Sequence, residues 1–166
     1  MQAFDADRDA VIARAREAGL RHIVTISSYV GDADRCADLA SRHDFIHFTA
    51  GVHPHDARLW DGTIAAGIRT AARHPKAVAI GEIGLDYHYD RSPRDLQRAV
   101  FREQVVMSRD LGLPIVIHTR EAWDPAVRGP SMGIVPRGRG VNGNEDRGGD
   151  AGAQARGGTP RASRWG

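Results

Sequence analysis

The sequence contains only one cysteine, Cys36, and only one lysine, Lys76, among its 166 residues. A single cysteine excludes an internal disulfide and is typical of a protein from a reducing compartment, so we expect a cytoplasmic location. Long apolar runs are missing as well, and the first residues lack the basic-then-apolar pattern of a signal peptide. The sequence therefore predicts neither a membrane-spanning helix nor a secreted domain held together by disulfides.

Most of the chain has no net positive charge, and the excess of basic residues lies near its end. The formal net charge is +2, but residues 127–166 contain seven arginines and only three acidic residues. The preceding 126 residues therefore have a small excess of acidic groups. The basic character belongs to the terminal segment and gives no reason to predict a general nucleic-acid-binding surface on residues 1–126.

Residues 127–166 also have almost no aliphatic side chains, and they hold 11 of the 19 glycines. Such a segment cannot bury enough apolar surface to offset its ordering entropy, so we expect it to be disordered. One interpretation is a non-catalytic nucleic-acid-binding tail, since the triplets RGG occur at 147–149 and 156–158. The other is an out-of-frame segment of a GC-rich gene, which the ratio of 22 arginines to one lysine favours. We expect the reading frame to be lost after about residue 126, and deleting residues 127–166 would separate the two interpretations.

Residues 1–126 alternate between helical and strand-like patterns. Short, nearly continuous apolar strands separated by amphipathic helices predict an α/β fold with a parallel sheet. The order begins with a helix, although a repeated βα unit should begin with a strand. The predicted helices span residues 5–18, 32–43, 62–73 and 93–111, the last opened by Ser92 as its cap, and the predicted strands span residues 23–27, 45–52, 77–83 and 113–118.

Three of the predicted strands end in polar residues able to bind metal or transfer protons. These segments are GVHPHD at 51–56, GEIGLDY at 81–87 and IVIHTRE at 115–121. Because the carboxyl ends of parallel strands share one edge of a sheet, ligands gather there. Three such clusters predict a single functional site at this edge.

Four side chains within these segments are the first candidates. Glu82 lies in an otherwise apolar strand, where a carboxylate needs either a metal or a paired arginine to offset desolvation. His118 follows four apolar residues and is either a metal ligand or a hydrogen-bonded core histidine. His53 and His55 flank Pro54, which restrains the loop, and they either meet substrate or serve only as loop residues.

The order and spacing of three motifs carry a family resemblance. AGVHPHD (50–56), AIGEIGLDYHYDRSP (79–93) and LPIVIHTREAWD (113–124) resemble the TatD family of metal-dependent deoxyribonucleases over about residues 3–125. The resemblance implies a (β/α)8 barrel with one or two divalent ions at its C-terminal face. It also implies hydrolysis of phosphodiester bonds in DNA, with DNA or another phosphodiester as the partner and no protein partner. Mg²⁺, Mn²⁺ and Zn²⁺ are equally compatible with it.

The resemblance also implies roles for individual residues. Glu82 and His118 match metal ligands, and His53 matches a catalytic residue beside the metals or the scissile phosphate. His53 and His55 are the expected substrate-binding residues. Asp86 and Arg120 match positions near the site and are expected to support catalysis.

The sequence departs from the family pattern in two places. The first strand with its His-x-His pair has no counterpart before the first helix, and two further metal-site residues have none after residue 126. We therefore expect residues 1–126 to form a partial (β/α)8 barrel of about four βα units, inactive as this fragment. The alternative within enzymes is an amidohydrolase-like activity on another ester or an amide, because metal-activated water does not identify its target.

Overall fold

The computed structural model describes residues 4–123, which lie within one compact unit. The predicted glycine- and arginine-rich tail at residues 127–166 lies outside the described residues. No helix within residues 4–123 is long and apolar enough to cross a membrane.

Helices and strands alternate along the described chain, as the sequence predicted. The elements in chain order are α1 (Arg8–Glu17), β1 (Ile23–Thr25), α2 (Asp32–Arg42), β2 (Ile46–Ala50), a 3-10 helix (Pro54–Leu59), α3 (Gly62–Ala71), β3 (Ala77–Asp86), α4 (Arg94–Leu111) and β4 (Ile115–Arg120).

The four strands form one parallel sheet in the order β1-β2-β3-β4. Helices α2 and α3 pack on β2, and α4 packs on β3. Sequential parallel strands with helical crossovers form half of a (β/α)8 barrel, so the predicted fold class is confirmed. Within residues 4–123, β1 and β4 each have a neighbouring strand on one side only.

The core lies between the sheet and its helices. Ile46, Phe48, Ile80, Ile83 and Leu85 are at most 1% exposed, and all belong to β2 and β3. Burying each side chain of this size contributes roughly 1.5–3 kcal/mol, so the two central strands dominate the stability of the half-barrel. These strands also carry the candidate site residues, which therefore sit on a rigid base.

Three local predictions were wrong. Strands β3 and β4 extend to Asp86 and Arg120 instead of ending at residues 83 and 118, because residues 84–86 pair with residues 118–120. The segment after His53 forms a 3-10 helix that begins at Pro54, a residue whose fixed φ suits a first helical position. Ser92 does not cap α4: its hydroxyl donates to the carbonyl of His55 and accepts from the N–H of Arg58, so it joins α4 to the 3-10 helix.

Two glycines allow β3 to approach β4 closely. A Cβ at Gly81 would lie 2.6 Å from the Cβ of Val116, and a Cβ at Gly84 would overlap the carbonyl oxygen of His118. Gly84 also has φ +145°, a conformation that L side chains rarely adopt. The strand pairing shifts register between Ile80 and Ile83, and such irregularities re-aim side chains. Glu82 lies within that irregular stretch.

Candidate metal centre

The carboxyl-terminal edge of the sheet brings together one side chain from each of three segments. His53 follows β2, Glu82 belongs to β3 and His118 belongs to β4, and their ligand atoms all lie within 4.8 Å of one another. Nδ1 of His118 is 3.2 Å from Oε1 of Glu82, and Nε2 of His53 is 3.9 Å from Oε2 of Glu82. These are the three residues that the sequence predicted would converge on one space.

Both ring nitrogens of His118 face a carboxylate. Its Nδ1 faces Glu82, while its Nε2 lies 3.0 Å from Oδ2 of Asp86. A metal-binding histidine typically donates its second ring N–H to a carboxylate, which fixes the tautomer and the ring orientation. When the ring donates its Nε2–H to Asp86 and carries no proton on Nδ1, Nδ1 can act as a metal ligand on the side of Glu82.

Asp86 is the central acceptor behind this group. It is fully buried, and its carboxylate accepts from Nε2 of His55 at 2.9 Å and from the backbone N–H of Tyr89 at 2.9 Å, as well as from His118. Burial raises the pKa of Asp86, but the N–H of Tyr89 and the rings of His55 and His118 outweigh it and hold the pKa well below its usual range. Asp86 is therefore an anion that orients both rings.

The ring of His53 is a weaker base than an ordinary histidine. Burial, followed by the nearby rings of His118 and His55, lowers the pKa of His53 to about 4, so the ring is neutral near pH 7. The backbone N–H of His55 donates to Nδ1 of His53 at 3.2 Å. The proton of the neutral ring then sits on Nε2, the atom that points toward Glu82. His53 is arranged as an N–H donor at the edge of the group.

Two buried glutamines of α4 hold the backbone of the segments that carry the site. Gln104 accepts from the N–H of Val52 at 2.8 Å and donates to its carbonyl at 3.1 Å. Gln97 makes the same pair of bonds with Asp86, at 2.8 and 3.1 Å. Helix α4 therefore fixes the backbone immediately before His53 and at Asp86.

Replacing Gln104 with leucine is expected to lower the free energy of unfolding by about 2–4 kcal/mol, because the buried N–H and carbonyl of Val52 would each lose a partner. Urea denaturation followed by circular dichroism measures the change. The control is Arg102→Leu at an exposed position of the same helix, for which we expect less than about 0.5 kcal/mol. Equal effects of the two substitutions would contradict this role of Gln104.

Two other predicted site residues, His55 and Arg120, lie outside the group formed by His53, Glu82 and His118. His55 lies against Asp86 through its Nε2, so its ring is held behind the group. The Arg120 side chain is exposed and stands over the ring of Tyr89, with no hydrogen bond to His53, Glu82 or His118 among the described residues. The roles of all the predicted residues stay predictions.

Sequence reasoning missed the structural importance of Gln97 and Gln104, and it gave Asp86 only a supporting position. The available signal was their spacing of seven residues, which places both glutamines on the same face of α4 as the buried Val100 and Phe101. A polar side chain on a buried helix face needs a partner, and here the partners are strand ends.

The donor set fits a divalent metal. It combines one carboxylate with imidazole nitrogens, and no arginine or lysine within residues 4–123 forms an ion pair with Glu82. Among residues 4–123, no contact supports the alternative interpretation of Glu82 as half of an Arg–Glu pair. Glu82 is partly buried, and its oxygens face ring nitrogens of His53 and His118. A divalent ion held among these groups would offset the desolvation of the carboxylate.

Comparison with known proteins agrees with this chemistry. The family model described as TatD related DNase matches residues 1–131. The uncharacterized metal-dependent hydrolase YabD of Bacillus subtilis is 39% identical over 124 residues, which are 75% of this chain and 49% of that protein. A Rahnella protein named 3'-5' ssDNA/RNA exonuclease TatD is 42% identical over 122 residues, which are 73% of this chain and 46% of that protein.

Solved structures show the same architecture. YjjV, a TatD homologue from Escherichia coli K12, superimposes with a TM-score of 0.68 at 27% identity, over 74% of this chain and 48% of that chain. An uncharacterized amidohydrolase from Saccharomyces cerevisiae superimposes with a TM-score of 0.63 at 24% identity, over 74% and 43%, which shows a shared fold alone. The chain spans about half the length of the curated relatives that it matches.

Proposed function

Because the chain belongs to the TatD-related DNase family, we propose that its site serves the metal-dependent hydrolysis of phosphodiester bonds in single-stranded nucleic acid, DNA included. The observation that carries the proposal is the convergence of His53, Glu82 and His118 within 4.8 Å at the sheet edge. The nucleic-acid substrate is supported by relatives named 3'-5' ssDNA/RNA exonuclease.

The residues of the chain divide the work according to their hydrogen bonds. Glu82 and Nδ1 of His118 would hold the metal, which when bound lowers the pKa of water and offsets the negative charge that develops on phosphate. Asp86 keeps the ring of His118 in the orientation and tautomer that this requires. Nε2–H of His53 would donate to a phosphate oxygen beside the metal, because its other nitrogen is already occupied by the N–H of His55.

For a polypeptide of residues 1–166 we propose metal and nucleic-acid binding without rapid turnover. Glu82 and His118 supply two ligands, whereas divalent sites commonly use three or four protein groups. The described strands number four, whereas a closed barrel of this class has eight. Metal-stimulated cleavage of labelled DNA by this polypeptide, lost on Glu82→Gln, would contradict the expectation of an inactive chain.

Glu82→Gln is expected to weaken Mn²⁺ binding to the 166-residue chain at least tenfold, about 1.4 kcal/mol, because the amide cannot supply the anionic ligand. Isothermal titration with Mn²⁺ and with Zn²⁺ measures the change. Glu17→Gln is the matched control, since Glu17 is an exposed residue of α1 that loses the same charge.

The same proteins test the substrate. Mn²⁺ is expected to strengthen binding of a short labelled oligothymidylate to the wild type and to the Glu17→Gln variant but not to the Glu82→Gln variant. Mn²⁺ binding that is insensitive to Glu82→Gln, or oligonucleotide binding that does not respond to Mn²⁺, would overturn the proposed function.

A further inference from the structure

A half-exposed tyrosine ring lies directly beside the candidate metal centre. Tyr89 follows β3, and its backbone N–H is fixed by Oδ1 of Asp86 at 2.9 Å. Its side chain is 50% exposed, and its ring centroid is 5.6 Å from that of His55, whose ring lies 4.4 Å from that of His53. The ring of Tyr89 is therefore linked to His53 of the metal group through the ring of His55, and about half of Tyr89 is exposed to solvent.

Two guanidinium groups stand over this ring. Cζ of Arg120 is 5.0 Å and Cζ of Arg91 is 5.5 Å from the ring centroid, so both make cation–π contacts. The two arginines come from different elements, since Arg120 ends β4 and Arg91 lies in the loop between β3 and α4. The ring of Tyr89 thus contacts two positive charges from different parts of the chain.

Neither guanidinium is neutralised by a carboxylate in the part of the chain that the structure describes. Arg94, by contrast, forms an ion pair with Asp90. Glu121, which follows Arg120 in the sequence, contacts Nδ1 of His88 at 2.8 Å through its carboxylate. Guanidinium groups that have no carboxylate partner are available to bind an anion. Phosphate suits them, because its oxygens can accept two parallel hydrogen bonds from one guanidinium.

We propose that Tyr89, Arg91 and Arg120 form a subsite for the strand of nucleic acid next to the phosphodiester at the metal centre. The inference rests on the proposed function and deepens it. Arg91 and Arg120 bind the neighbouring phosphate, and the exposed part of the Tyr89 ring stacks on a base. Stacking on a protein ring needs an unpaired base, so this subsite selects single-stranded over duplex nucleic acid.

The test measures fluorescence anisotropy of a short labelled oligothymidylate with the 166-residue chain in Mn²⁺. Arg91→Gln and Arg120→Gln are each expected to weaken binding about fivefold to tenfold and to flatten its salt dependence by about one phosphate contact. Tyr89→Leu is expected to weaken binding about tenfold, whereas Tyr89→Phe, which keeps the ring, stays within about twofold of the wild type. Arg73→Gln is the control, because Arg73 is exposed, has no ion pair among the described residues and precedes β3 at the opposite edge of the sheet.

Two further measurements separate this inference from the proposed function. Mn²⁺ affinity of the Arg91→Gln and Tyr89→Leu variants should equal that of the wild type, and a duplex of the same sequence should bind at least tenfold more weakly than the single strand. Oligonucleotide binding that requires Mn²⁺ but is unchanged by all three subsite substitutions overturns the subsite alone. Equal losses in Arg73→Gln and Arg91→Gln, or equal affinity for duplex and single strand, overturn it as well.

Discussion

Replacing Gly84 with alanine is expected to prevent the half-barrel from folding. The new Cβ would overlap the carbonyl oxygen of His118 on β4, and the backbone would have to keep φ +145° with a side chain attached. The clash is costly to relieve, because the carbonyl of His118 and the backbone of Gly84 belong to β4 and β3, which are paired at this position. We expect a loss of at least about 4 kcal/mol in the free energy of unfolding, measured by urea denaturation and by the loss of the thermal transition.

The control for this substitution is Gly67→Ala in α3. Gly67 is exposed, lies within a helix and has open space where a Cβ would be placed. Alanine there should stabilise the chain by about 0.5–1 kcal/mol, because glycine loses more backbone entropy on folding. A Gly84→Ala variant that unfolds at the same urea concentration as the wild type would show that β3 and β4 do not approach as closely as described.

Asp86→Ala is expected to destabilise the chain by about 3–5 kcal/mol and to abolish detectable metal binding. The substitution removes a buried anion that accepts from two histidine rings and from the N–H groups of His88 and Tyr89. Removing one partner from a buried charged network leaves the others unpaired, and this costs more than the interaction itself contributes. Urea denaturation measures the stability, and titration with Mn²⁺ measures the binding.

Asp86→Asn separates the packing of this side chain from its charge. The asparagine carbonyl can still accept from the backbone N–H groups, so we expect most of the stability to return. Its amide would face the ring nitrogens of His55 and His118, so the ring of His118 would lose its anionic partner and metal binding would stay weak. Asp38→Ala, at an exposed ion pair with Arg42, should change stability by less than about 0.5 kcal/mol. A fully stable Asp86→Ala variant with normal Mn²⁺ affinity would refute the central position of Asp86.

The sequence predicted the order of elements well because each signal is local. Short, nearly continuous apolar runs and helical periodicity identified four strands and four helices, and they placed the polar strand ends on one edge. From that placement alone, the segments that carry His53, Glu82 and His118 were expected to meet. Parallel strands share an edge whatever their detailed register, so this inference did not need atomic detail.

What the sequence could not predict depends on contacts between distant segments. The extension of β3 to Asp86 depends on β4, to which residues 83–86 pair. Burial raises the pKa of Asp86, and the net fall in this pKa depends on the N–H of Tyr89 and on the rings of His55 and His118. The 3-10 helix was missed because six residues that begin with a proline give too short a pattern to distinguish from a loop.

The wrong prediction that Ser92 caps α4 has the same cause, a contact between segments that are distant in the sequence. Serine before proline is a common helix start, and local rules favour it as a cap. In the structure its hydroxyl bridges His55 and Arg58, which lie more than thirty residues earlier. Only the folded chain shows that a competing partner is within reach.

Amide hydrogen exchange can probe the site through the backbone groups that the two glutamines of α4 hold. The N–H groups of Val52 and Asp86 donate to side chains of α4, so each can exchange with solvent only when the helix lifts from the strand ends. The glutamines are seven residues apart, about 10 Å along the helix axis, so one rigid rod spans both attachment points. The two amides should therefore share a single opening free energy, and metal at Glu82 and His118 should slow both by the same factor. Exchange at two backbone positions that hold no metal would then report on metal bound a few residues away.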